Sequence, residues 1–133
     1  MTLEFQGYLL YGNDGDTIDH IITNGLLKAR KYVWISGAKA SDFIVVNKNT
    51  KEGEQISKKL YQMSQRGVDF KFILAPHEKT KIYKNTQTFY QKMKDIENVD
   101  FRFCYDMHMK VIIEDSSNSI AFLTNNVHIL RCN

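Results

Sequence analysis

At 133 residues, 43% of them hydrophobic, the chain has apolar matter for one core and too little for two, so it is read as a single domain, 1–133, without internal repeat. A net charge of +3 and a pI near 8.8 favour an anionic partner only mildly; Cys104 and Cys132 are too few for a disulfide framework or zinc knuckle, and no two of the four histidines stand at ligand spacing, so no metal or cofactor is expected. No apolar run nears the roughly 20 residues of a membrane helix, and residues 1–5 lack the basic-then-apolar pattern of a secretory leader, so a soluble cytoplasmic protein is expected.

Residues 3–11 read as extended, and Gly12-Asn13-Asp14-Gly15 is a turn cluster. Asp14 or Asp16 then caps a helix whose Ile18, Ile21, Ile22, Gly25, Leu26 and Ala29 fall on one face. Tyr32-Val33-Trp34-Ile35 follows as a short buried strand, and Ser36 to Ser41 leaves it as a small-residue loop, read as a connector with a place beside a ligand as the alternative. Residues 51–66 read as a second amphipathic helix with Ile56, Leu60 and Met63 inward and Gly67 as its stop, and 68–74 as the next strand. Pro76 and the polar run 77–81 make a loop before a third helix, 86–96, carrying Phe89, Tyr90 and Met93. Asp100-Phe101-Arg102-Phe103 is a short strand; one carrying His108 and a last one, 120–123, close the pattern. Alternating strands and helices predict a layered α/β/α sandwich, a mixed sheet with helices on both faces.

The chemistry concentrates in His108-Met109-Lys110, the apolar run Val111-Ile112-Ile113, Glu114-Asp115 and, one apolar run later, Thr124-Asn125-Asn126. Strand residues two apart share a face, which sets the imidazole of His108 beside the ammonium of Lys110. Cleaving a phosphodiester needs a nucleophile or proton carrier at phosphorus, and cations or donors on the oxygens where charge gathers. His108, Lys110, Thr124 and Asn126 are residues of those types, and the turn cluster 116–119 between apolar segments suits a site at strand ends.

In these residues the chain resembles the phospholipase D superfamily, whose signature runs His-x-Lys, four residues, Asp, then about Gly-Ser-x-Asn at the end of the next strand. His108, Lys110 and Asp115 match it; Thr124 and Asn126 stand where the Ser and Asn would, with one extra residue in the intervening turn, and Leu123 replaces the Gly. The helices and strands before the motif resemble that family too, so the likeness spans most of the chain. It implies a phospholipase D-like fold and a metal-independent phosphodiesterase without cofactor.

On that resemblance His108 is the nucleophile, forming a phosphohistidine that water resolves, while Lys110, Asn126 and the Thr124 hydroxyl hold the non-bridging oxygens. The leaving oxygen needs a proton, and the chain holds one copy of the motif. A two-fold homodimer is therefore expected, with the two His108 side chains facing across one shared site, one neutral and one protonated.

Asp115 is read as structural, because five residues of strand carry it about 16 Å from Lys110. With Ser116, Ser117 and Asn118 it is expected to hydrogen-bond the backbone of the turn between the last two strands. The acid that orients His108 must then come from elsewhere, Asp106 being near in sequence. Members of the superfamily carry a further acid downstream; none follows Asp115, so the chain is expected to be the N-terminal piece of a longer protein. His77 and Glu78 read as a solvated loop, His20 as structural, and Lys79, Lys81, Lys84, Lys92 and Lys94, interleaved with Tyr83, Phe89 and Tyr90, as an amphipathic helix before a phosphate-tracking face.

Three functions follow. The first is a DNA endonuclease of the restriction or repair kind, a homodimer with any specificity in a separate domain of the same protein. The second is an inactive dimerising or nucleic-acid-binding module, to which Leu123 and the missing acid give substance. The third, a phospholipid phosphodiesterase, would want an exposed apolar or basic amphipathic surface, and none is legible, so no membrane partner is expected.

Overall fold

A computed structural model describes residues 19–75, 84–107, 109–116 and 121–124, with 19–20 and 121–124 described by backbone alone. The sheet is built on period-two alternation. In β1 (Tyr32–Gly37) Val33, Ile35 and Gly37 turn inward, and in β4 (Asp69–Leu74) Phe70, Phe72 and Leu74 do so while Asp69, Lys71 and Ile73 turn out. Between them lie the short strands β2 (Ile44–Val46) and β3 (Gly53–Gln55) and helix α1 (Ile56–Gln65). Helix α2 (Lys84–Met93), β5 (Val99–Phe103), β6 (Lys110–Glu114) and β7 (Ala121–Thr124) follow.

β1 pairs in parallel with β4 and β4 with β5, whereas β6 runs antiparallel to both β1 and β7. The result is an α/β chain around a mixed sheet of order β5-β4-β1-β6-β7, with β2 and β3 as a separate hairpin. α1 lays Ile56, Leu60 and Met63, and α2 lays Phe89 and Met93, into one core with Val33, Ile35, Phe70, Phe72, Leu74 and Ile112. Phe72 stacks on Phe101 at 4.8 Å and meets the edge of Phe89 at 5.5 Å.

The described helices all lie on the face of the sheet that carries Val33, Phe70, Phe72 and Ile112. The reason is topological. The sheet grows from β1 to β4 to β5 in one direction, and crossovers of one hand then set α1 and α2 on the same side.

Two elements differ from expectation. The first helix, as far as it is described, is a π turn, Asp19–Thr23, and a 3-10 turn, Leu26–Lys28, parted at Gly25 with φ −111° and ψ −87°. Ile21, Ile22, Leu26 and Ala29 are buried all the same, but β-branched residues and a glycine make poor α-helix. The second helix starts at Ile56 rather than 51, because 47–55 closes the hairpin. The Asn47 side-chain oxygen accepts the N–H groups of Asn49 and Thr50 at 2.8 and 3.1 Å, and Lys51 takes the left-handed conformation at φ 63°. Where α1 ends, the N–H of Val68 reaches the Met63 carbonyl at 3.1 Å and that of Gly67 the Ser64 carbonyl at 3.0 Å. Gly67 supplies the φ of 94° this closure requires.

Candidate functional site

At one edge of the sheet β1, β4 and β5 end, β6 begins and β7 ends. The carboxyl edge of an open α/β sheet is where ligands are bound. Lys110 opens β6 there, half-buried, and Thr124 closes β7 directly opposite it in register. Ile112 and Glu114 face the core, so the pleat places Lys110 on the helix side and Val111 and Ile113 on the other.

The edge is tied together by Ser36, which opens the segment read as a connector, and by Thr86, which the sequence did not single out. The Ser36 hydroxyl donates to the Met109 carbonyl at 2.9 Å, fixing the residue before Lys110 to the end of β1. Thr86, fully buried in the first turn of α2, accepts the N–H of Ala40 at 2.9 Å and donates to its carbonyl at 3.2 Å, which pins the loop after β1. The sequence put Ser36 in the loop after an apolar run, whereas β1 extends through Ser36 to Gly37; Thr86 gives no sequence signal.

Of the predicted site residues, Lys110 and Thr124 are brought together by register. His108 and Asn126 lie outside the described residues, as do His77, Glu78, Lys79, Lys81 and Tyr83. β6 starts at Lys110, with Met109 already off the ladder, which shortens the strand expected to begin at His108. Asp106 is exposed in the turn after β5. On α2, Lys84 and Lys92 are exposed while Phe89 is buried and Tyr90 half-buried; Lys94 just beyond the helix is exposed too.

Asp115 follows β6 at the opposite edge. Its Oδ1 accepts the backbone N–H groups of Arg30, Lys31 and Tyr32 at 2.9, 3.0 and 3.2 Å. The backbone it is seen to hold is the entry to β1; Ser117 and Asn118, and with them most of the turn expected of it, lie outside the described residues. Burial pushes its carboxyl up, but the N–H groups of Lys31, Tyr32 and Arg30 outweigh burial and hold it below the ordinary carboxylate value. Beside it, Glu114 is 1% exposed and takes the N–H and hydroxyl of Ser116 at 2.6 and 2.9 Å.

Asp42 is a third such carboxylate. It accepts the N–H and hydroxyl of Ser57 at 2.9 and 2.7 Å and the ammonium of Lys92 at 2.6 Å, clamping the start of α1 to the end of α2. Burial raises its carboxyl, and the hydrogen bonds from Lys92 and Ser57 bring it below the ordinary value. Among the described residues no group of three or more His, Cys, Asp or Glu lies together as metal ligands would. Comparison with known family models and with curated proteins finds no match to this chain.

Proposed function

We propose that the chain is a phosphodiesterase of the phospholipase D kind, acting on DNA as an endonuclease from a site shared by two copies. The observation that carries the reading is the pairing, at the carboxyl edge, of Lys110 from the His-x-Lys motif with Thr124 from its Thr-x-Asn counterpart. An ammonium there is placed to take the non-bridging oxygens of a phosphate. In this scheme a His108 nitrogen attacks phosphorus, forming the N–P bond as the P–O bond to the leaving group breaks. The leaving oxygen takes a proton from the imidazolium of the partner subunit's His108. That imidazole, now neutral, takes a proton from water, whose oxygen displaces His108 and restores both groups. No step calls on a metal.

The test is hydrolysis of a chromogenic phosphodiester and of plasmid DNA in excess EDTA by the chain and its His108→Ala and Lys110→Ala variants. Cleavage that survives chelation and falls at least about a thousandfold in both variants is expected. Plasmid binding without cleavage by the folded chain would overturn the enzyme reading in favour of the inactive module, which Leu123 at the position of the expected glycine favours.

A further inference from the structure

The row of residues that contains Lys110 begins at an aromatic ring. At the carboxyl edge Phe103 of β5 stands beside Leu74 of β4, and Leu74 beside Gly37 of β1, while Lys110 of β6 stands beside Thr124 of β7. Ser36 lies opposite Val111, so Gly37 and Lys110, the next residues toward the edge, join the two halves. Phe103, Leu74 and Lys110 all turn to the helix side. Three strand spacings set the backbone of Phe103 about 14 Å from that of Lys110.

Phe103 also ends a stack of rings. Phe72 lies nearly parallel to Phe101 at 4.8 Å, Phe101 nearly parallel to Phe103 at 6.4 Å, and Tyr90 of α2 sets its edge against both, at 5.0 and 5.3 Å. The stack starts in the core and surfaces at the site: Phe72 is 1% exposed, Phe103 38% and Tyr105, two residues on, 74%. The N–H of Cys104 reaches the Leu74 carbonyl at 2.9 Å and that of Met107 the Cys104 carbonyl at 3.2 Å, so the backbone that carries Tyr105 is held in a closed turn. Core packing accounts for Phe72 and Phe101. It does not account for two neighbouring rings kept in water at a fixed place.

Charge says what they meet. Among the described residues Lys39 after β1, Lys84 at the start of α2 and Lys110 stand at this edge against the acid Asp106, and Asp42, farther along the loop after β1, is already held by Lys92. We infer that Phe103 and Tyr105 are a stacking platform for the bases of single-stranded DNA whose phosphates lie on Lys110 and Lys84. Cations along the backbone and rings under the bases are the means by which an unpaired strand is held. A duplex fits less well, because each of its bases already has neighbours on both faces and must be unstacked before a ring can take it. The 14 Å between Phe103 and Lys110 falls within the site of about four nucleotides or more that single-strand binders cover. The inference rests on the proposed function for the phosphate at Lys110 and adds the state of the strand.

The test is fluorescence anisotropy of end-labelled strands of about 12 nucleotides, inside the usual range of single-strand sites, with the His108→Ala chain, which lacks the nucleophile. The probes are oligothymidylate, its duplex with oligoadenylate, and an abasic strand of equal length that keeps the phosphates and lacks the bases. Oligothymidylate is expected to bind at least about tenfold more tightly than either of the others, the gap that stacking of one or two bases supplies. Phe103→Leu and Tyr105→Ala should close the gap to the abasic strand. Lys84→Ala should weaken both strands alike and lower their salt dependence. Tyr61→Ala removes an exposed ring of α1 and should leave the gap as it is. Should Phe103→Leu fail to fold by circular dichroism, Tyr105→Ala, outside the strands, decides alone. A gap absent from the parent chain, one that persists in the folded variants, or a duplex bound as tightly as the single strand overturns the inference. Binding is read without the nucleophile, so the two readings fail separately. A gap in a chain whose His108 form cleaves nothing would sink the phosphodiesterase and leave the platform standing, and cleavage without a gap would do the reverse.

Discussion

Removing the Asp115 carboxylate separates the structural from the chemical part of the motif. Three N–H donors converge on one oxygen, but those of Arg30 and Lys31 are exposed and regain water when it is lost; only that of Tyr32 is partly buried. Counting the bonds at full charged strength would give well over 4 kcal/mol, and discounting for solvent leaves about 2–3 kcal/mol for Asp115→Ala. Asp115→Asn keeps an acceptor without the charge and should cost about 1 kcal/mol. For a domain of this size these losses lower the melting temperature by about 6–12 °C and about 3–4 °C respectively. pH dependence follows from the lowered carboxyl. Above the ordinary carboxylate value, about 3.9, the group is ionised whether folded or unfolded and its contribution is complete. As pH falls below that value the unfolded chain takes the proton first, so the contribution shrinks until pH has passed the folded-state value. The assay is thermal melting by circular dichroism at pH 7 and pH 3, beside turnover of the chromogenic phosphodiester at 20 °C. At pH 3 the gap between wild type and Asp115→Ala should narrow. Turnover lost from a folded Asp115→Ala protein to the extent seen in Lys110→Ala would refute the structural assignment, and an unchanged melting temperature would refute the energetic one.

Asp42→Ala strips the first turn of α1 of its cap and leaves the buried Ser57 hydroxyl without its acceptor, at a cost of about 2–3 kcal/mol, measurable as a lower urea midpoint. Lys92→Met, which keeps the stem and loses only a half-exposed ion pair, should cost under about 1 kcal/mol in the same titration. Thr86→Val preserves shape but orphans the N–H of fully buried Ala40, and should destabilise by about 1–3 kcal/mol, with faster amide exchange at Ala40. At Lys51, whose φ is 63°, replacement by Gly should leave the urea midpoint level or raised while replacement by Val lowers stability by about 1 kcal/mol.

The core strands were legible because their signal is local. Val33 and Ile35, the alternation of Phe70, Phe72 and Leu74, and Phe89 with Met93 each follow from the period of one element, and Gly67 marks a helix end by its own conformational freedom. The β2–β3 hairpin was not, because 47–55 is polar and its turn is decided by Asn47 bonding its own backbone, which no apolar period records. The exposure of Trp34 was missed for a different reason. An apolar run predicts burial on both sides, and Trp34 within it is 45% exposed. At the site the sequence located Lys110 and Thr124 on consecutive strands, and only the register sets them opposite each other. Ser36 and Thr86 act through bonds across 73 and 46 residues, separations that no sequence window spans.

The spacing of the motif has a mechanical meaning. β6 runs beside β1 with Ser36 opposite Val111 and Val33 opposite Glu114, so the two strands cross the sheet together. They are tied at both ends, by the Ser36 hydroxyl on the Met109 carbonyl at the carboxyl edge and by the Asp115 carboxylate on the N–H groups of residues 30–32 at the other. Four residues between Lys110 and Asp115 are what it takes to reach from one tie to the other; a fifth would turn every following side chain to the wrong face. An acid at this offset is therefore what a strand of this length needs to hold its neighbour, whatever happens at the far edge. Its presence speaks for the sheet, and the proposed reaction stands or falls on His108 and Lys110.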